Sequence, residues 1–272
     1  MTLTAMAILG TLAVLAASAD PLAFWFFHVG PTEQNLPRAF AQPDPTNPAL
    51  WLGSDELGRS QVVRMLYGAR VSLGVGTGAA LLNLVIGLPI GLLAGYTRGW
   101  VDDVVQWLVA TLHAVPRLFL LLLIAALFGP GPVVLVTVLA LLAWPNMALF
   151  VRGQVLTLRA REFIVAARSV GASHTRLLLR HLLPNVMPLV VVITAVDVGG
   201  LILTESALSF LGLGIQPPTP SWGNLLTSAA ASLVRAPWLV YGPGVAIFVT
   251  VLCLYVLGDG LRDSLDPRTP SR

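Results

Sequence analysis

The sequence has 272 residues, 56% hydrophobic and 11% charged, with a net charge of +3. A water-soluble domain carries roughly a quarter charged residues, so this composition describes a chain that crosses a lipid bilayer several times. All sixteen basic residues are arginine. The lack of lysine excludes a P-loop, a Schiff base and a lysine general base, and the clustering of the arginines points to membrane topology, not to nucleic-acid binding.

Residues 1–27 predict a first transmembrane helix, about 4–26. A cleaved signal peptide ending at Ala17-Ser18-Ala19 is the alternative. A retained span is preferred, because a basic start is missing and apolar character resumes after Asp20-Pro21 with LAFWFF. Trp25 then serves as an interface anchor. Residues 28–70 predict a solvated extracytoplasmic loop ending in a short interfacial helix. That helix starts at 54–57 and shows Val62, Val63, Leu66 and Tyr67 on one face.

A five-helix core is expected over 71–258. Span two, 71–96, carries Gly74 and Gly78, then Gly87, Gly91 and Gly95, at the four-residue spacing that lets helices approach closely in lipid. Pro89 is a candidate kink there. Asp102-Asp103 suit a helix start. Span three, 104–128, kinks at Pro116 and holds His113 and Arg117, the arginine either snorkelling to a surface or facing a cavity. The sequence Gly129-Pro130-Gly131-Pro132 predicts a tight turn, and span four, 133–150, closes at Trp144-Pro145-Asn146 and Arg152.

Span five, 189–210, is expected to bend at Gly199-Gly200. Thr194, Asp197, Thr204 and Glu205 fall near one of its faces, where they either line a pathway or tie neighbouring helices together. Residues 211–237 predict a loop with one short helix, followed by a last span at 238–257 and a polar cytoplasmic tail at 259–272. Cys253 lies in an apolar run, which disfavours a reactive thiol, and as a lone cysteine it allows no intrachain disulfide.

Residues 159–185, RAREFIVAARSVGASHTRLLLRHLLPN, are too polar for lipid yet too apolar for an idle loop. They predict two short helices, one over 162–170 ended by Gly171 in the left-handed conformation, and one capped by Ser173 that stops before Pro184. Such a hairpin needs something to bury against, so it is expected to be a docking surface. Six spans place both termini on one side. With 159–185 on that side too, its loops hold ten arginines against five opposite, with Arg117 inside a span. The positive-inside tendency makes this side cytoplasmic.

Val165-Ala166-Ala167, then Gly171 after three residues, then His181-Leu182-Leu183-Pro184 after nine more, resembles the EAA loop of ABC-importer permeases. Val165 and His181 stand where that pattern has Glu and Ile. DELGR at 55–59, YGARVSLGVG at 67–76, GLLAGY at 91–96, ESALSFLGLGIQPPTPSWGN at 205–224 and GDGLRDSLDPR at 258–268 are similar to the second permease of dipeptide and oligopeptide importers. That group commonly carries an arm ahead of the first span, which this sequence does not show before residue 4.

The resemblance implies an all-α, six-helix type I ABC-importer permease fold with a cytoplasmic coupling helix, in the cell inner membrane. It implies no chemistry and no cofactor on this chain, with ATP and Mg held by partner ATPases. Arg161, Glu162, Val165, Ala166, Ala167, Arg168, Gly171, Leu183 and Pro184 are then the ATPase-coupling residues, and Thr194, Asp197, Thr204 and Glu205 the pathway residues. The implied partners are a second, different permease, two cytoplasmic ABC ATPases, an extracytoplasmic solute-binding protein, the lipid bilayer and a peptide substrate. Nickel or another small chelated solute is the alternative cargo. An ion-coupled transporter built on Asp197 and Glu205 lacks a repeat between halves, and an intramembrane hydrolase using Ser206, Ser209 and His113 lacks a nucleophile elbow.

Overall fold

The computed structural model of the chain describes residues 1–129 and 131–265. Pro130 of the expected turn, and the tail from 266 onward with Arg268 and Arg272, lie outside the described residues. Regular structure among the described residues is helical, apart from one isolated bridge between Ser54 and Ser60. The elements are α1 Thr2–Ala17, α2 Gln61–Thr97, α3 Trp100–Ala114, α4 Arg117–Phe128, α5 Pro132–Leu158, α6 Glu162–Ser169, α7 His174–Phe210, α8 Trp222–Ala231 and α9 Trp238–Leu265. Four of them (α2, α5, α7 and α9) are long and apolar enough to cross a membrane. Two bent pairs, α1 with Ala19–Phe27 and α3 with α4, bring the count to six if each pair is one span.

Several boundaries differ from the sequence expectation. The separate interfacial helix is absent: Ser60 caps a helix of 37 residues that runs unbroken from Gln61, and 54–57 is a turn outside it. Its first residues Gln61, Val63 and Arg64 are buried, as are Ser54, Asp55 and Arg59 of the loop expected to be solvated. Pairing makes this burial possible. The Asp55 carboxylate accepts from the backbone of Leu57 and Arg59, from Arg59 Nε at 2.7 Å and from Arg64 Nη1 at 2.9 Å.

Span three breaks outright. α3 and α4 meet at 83°, and Val115 takes the extended backbone that a residue before proline prefers. By contrast, Trp144-Pro145-Asn146 does not close α5, which continues to Leu158. Trp144 and Pro145 are buried, and Trp144 packs with Val109 of α3, so the helix is held by its neighbours across the proline. Pro184 likewise fails to stop the chain. Residues Leu177–Leu182 take the wider π turn, which already gives up the bonds a proline would block, and Pro184 enters the first turn of Leu183–Phe210. Gly199-Gly200 leaves α7 continuous, with Gly199 packed under Leu254 of α9.

α2 is the central rod. Gly87, Gly91 and Gly95 press against Met147, Ala148, Val151 and Val155 of α5, and a Cβ on Gly91 would stand 2.5 Å from the Ala148 carbonyl oxygen. Gly74 meets open space; the second close approach is instead Gly76 under Ile202 of α7. At the other margin, α1 runs through Ala17 and bends at Ser18. Arg70 of α2 donates to the carbonyls of Ala16 and Ala17, at 3.0 and 3.1 Å, and pairs with Asp20 at 2.7 Å.

Candidate functional site

The segment 159–185 folds locally as its residues dictate. Glu162 opens α6 and Arg168 closes it, each matched to the helix dipole. Gly171 follows at φ +83°. Ala172 N–H donates to the Ala167 carbonyl and Gly171 N–H to that of Arg168, both at 3.0 Å, which is the paired Schellman closure. Ser173 then caps the next helix by accepting from Arg176 N–H at 3.4 Å.

One face of this knuckle is anchored. Ile164 is 0% exposed and packs with Leu177, Leu182, Val151, Val155 and Val186. Ala167 and Leu183 lie against the same cluster. The other face is bare: Phe163, Val165 and Val170 are exposed, Val170 by 86%, together with Arg161, Glu162, Ala166, Arg168, Gly171 and Pro184. Among the described residues, Arg161, Glu162 and Arg168 form no salt bridge within the chain. The nine residues singled out from sequence therefore divide into two that pack inward and seven that face out. Ile164, the deepest anchor, was not among them, although its three-residue spacing to Ala167 marks the inner face.

The knuckle is braced to the bundle. Tyr96 Oη lies 2.5 Å from His174 Nδ1, and Arg159 Nη1 donates to the carbonyl oxygens of Tyr96 at 2.8 Å and Gly95 at 3.4 Å. Burial, and then neighbouring Arg98 and Arg168, press the Arg159 guanidinium below its ordinary pKa. Two turns earlier, Arg152 grips Asp102 with two bonds of 2.5 and 2.6 Å, fixing α5 to α3.

The four polar residues of α7 have different partners. Thr194 and Thr204 donate to carbonyls of their own helix, those of Val190 and Gly200. Glu205 is 0% exposed and accepts from Ser72 at 2.8 Å, Ser209 at 2.7 Å and Ser206 at 3.3 Å. Ser72 also accepts from Trp222 N–H, and Ser209 from Ile215 N–H, so this carboxylate ties α2, α7 and the start of α8 together. Asp197 is only partly covered and accepts from Asn83 at 2.8 Å. Ser72 and Asn83 carry no signal in the sequence beyond being polar within an apolar run.

Apolar helical spans around a buried polar midsection, with one greasy knuckle braced at their end, define a polytopic membrane component built to work with another protein. Residues 87–270 match the family described as "Binding-protein-dependent transport system inner membrane component", and the chain belongs to that family. It is 43% identical over 223 residues to the glutathione transport system permease protein GsiD of Pectobacterium atrosepticum, covering 82% of this chain and 74% of that one. It is 40% identical over 238 residues to the dipeptide transport system permease protein DppC of Bacillus subtilis, covering 87% and 72%. The fold is similar to that of the inward-facing MetNI methionine ABC transporter, with TM-score 0.61 and 19% identity, over 76% of this chain and 96% of that one. This chain is a permease subunit of an ABC importer, a non-catalytic component of the inner membrane. Family membership implies work alongside another permease, ATPases and a binding protein.

Proposed function

We propose that this permease forms one half of an import pathway for di- and oligopeptides, paired with a different permease, supplied by an extracytoplasmic solute-binding protein and driven by two cytoplasmic ABC ATPases. The relatives named for glutathione and dipeptide transport support a peptide cargo. The arginine asymmetry supports placing 159–185 and both termini in the cytoplasm. ATP and Mg belong to the ATPase subunits.

The observation that carries the coupling role is the two-faced α6. Ile164 fixes it to the bundle, while Phe163, Val165, Ala166 and Val170 present apolar surface outward, rimmed by Arg161, Glu162 and Arg168, which form no salt bridge among the described residues. The small Ala166 lets an ATPase groove approach closely, and the rim charges set register. Force on α6 passes through Tyr96–His174 and Arg159 into α2 and α5, whose glycine contact moves as a unit. A cysteine at Ala166 is expected to crosslink to an ATPase subunit in the assembled importer. Failure to crosslink there, or labelling of Ser173→Cys from outside intact cells, overturns this reading.

A further inference from the structure

Arg117 begins α4, directly after the break at Val115-Pro116. The 15 residues of α3 and the 12 of α4 separate it, along the chain, by about 22 and about 18 Å from the turns at either end. Among the described residues it forms no salt bridge and no side-chain hydrogen bond. Arg117, like His113 and Asn146, is exposed in this chain, so its guanidinium is open to an anion or water entering the break.

The break opens a cavity of about 150 Å³. His113 of α3, Arg117 of α4 and Asn146 of α5 contribute its polar lining, with Pro116, Leu120 and Leu142 as apolar wall. Each of the three polar side chains can donate hydrogen bonds, and the guanidinium fork matches a carboxylate. The N-terminal end of α4 adds partial positive charge on the same side. The opposing charge is Asp197 of α7, which acts on Arg117 electrostatically without pairing with it and is itself held by Asn83. The volume suits one chain terminus, not a whole tripeptide.

We infer that this cavity receives the terminal carboxylate of the peptide in transit, with Arg117 as its main donor and Asn146 and His113 beside it. The inference rests on the peptide reading above. It is tested with the complete importer (both permeases, both ATPases and binding protein) in proteoliposomes, following labelled dialanine and labelled glutathione. Arg117→Gln is expected to lower ATP-driven uptake by about tenfold, and Arg117→Lys to recover most of it, with assembly and basal ATP hydrolysis unchanged. Should Arg117→Gln disturb assembly, Asn146→Leu, from a different helix of the same cavity, is expected to lower uptake by about threefold. Uptake by Arg117→Gln within twofold of wild type, or equal loss in the lysine variant, overturns the carboxylate role while leaving peptide import standing. A wild-type importer that carries neither probe nor any other short peptide sinks the peptide reading and this site with it.

Discussion

The two ends of the bundle handle their charged and apolar groups in opposite ways. At the end bearing the 28–60 loop, Asp55, Arg59 and Arg64 are buried against one another, Ser60 donates to the Ala49 carbonyl, and Trp222 lies beneath the surface with its indole N–H on the Met65 carbonyl. At the end bearing 159–185, Arg161, Glu162 and Arg168 form no salt bridge among the described residues and surround exposed Phe163, Val165 and Val170. The first end pairs most of its buried groups within the chain, Arg64 Nε and Trp238 Nε1 excepted, and is the closed one. The second leaves apolar surface that the proposed ATPase contact would cover. The difference separates a scaffold end from the end proposed as an interface, and mutations at the two ends should behave accordingly.

The largest stability effect is expected at the closed end. Asp55→Ala strands two buried guanidinium groups, which costs about 3–5 kcal/mol. Thermal unfolding of the purified importer checks it, and a shift no larger than that of a surface substitution would mean the loop is not a latch. Next comes the rod between the ends. Gly91→Ala drives a Cβ into the Ala148 carbonyl and Val151, so α2 and α5 must part, at about 1–3 kcal/mol. Gly74→Ala, in open space, provides the control and should be silent in the same assay.

The open end should be more forgiving. Gly171→Ala meets no atom within 4 Å, so its cost is the left-handed backbone alone, about 1–2 kcal/mol. Ala166→Arg, on the exposed face of α6, should change stability by less than about 0.5 kcal/mol. The same substitution should cut ATP-driven uptake by about tenfold or more, since a bulky charge would sit at the centre of the docking face. Ordinary uptake by Ala166→Arg would erase the contrast between the ends.

Much of the site could be read in advance because its signals are local. Gly171, Ser173 and the alanine pair act over a few neighbouring residues, and the structure finds the Schellman closure and the serine cap where the sequence places them. Pro184 misled because a π turn upstream changes what a proline interrupts. For Glu205 the sequence leaves a pathway or a tie between helices open, and three serine hydroxyls enclose the carboxylate, one of them 133 positions away on another helix. Ile164 was overlooked because a short helix gives its inner face only two residues.

Composition and the EAA-like spacing by themselves determined the membrane class and pointed to 159–185 as the segment proposed to meet a partner, because hydropathy and capping are properties of residues and their near neighbours. Tertiary structure alone decided which polar groups are spent and which are free. It buried Asp55 with two arginines, enclosed Glu205 in hydroxyls, and left Arg117 facing a cavity at a broken helix. Whether a charge is paired depends on which distant helix lies opposite, and sequence periodicity carries no record of that.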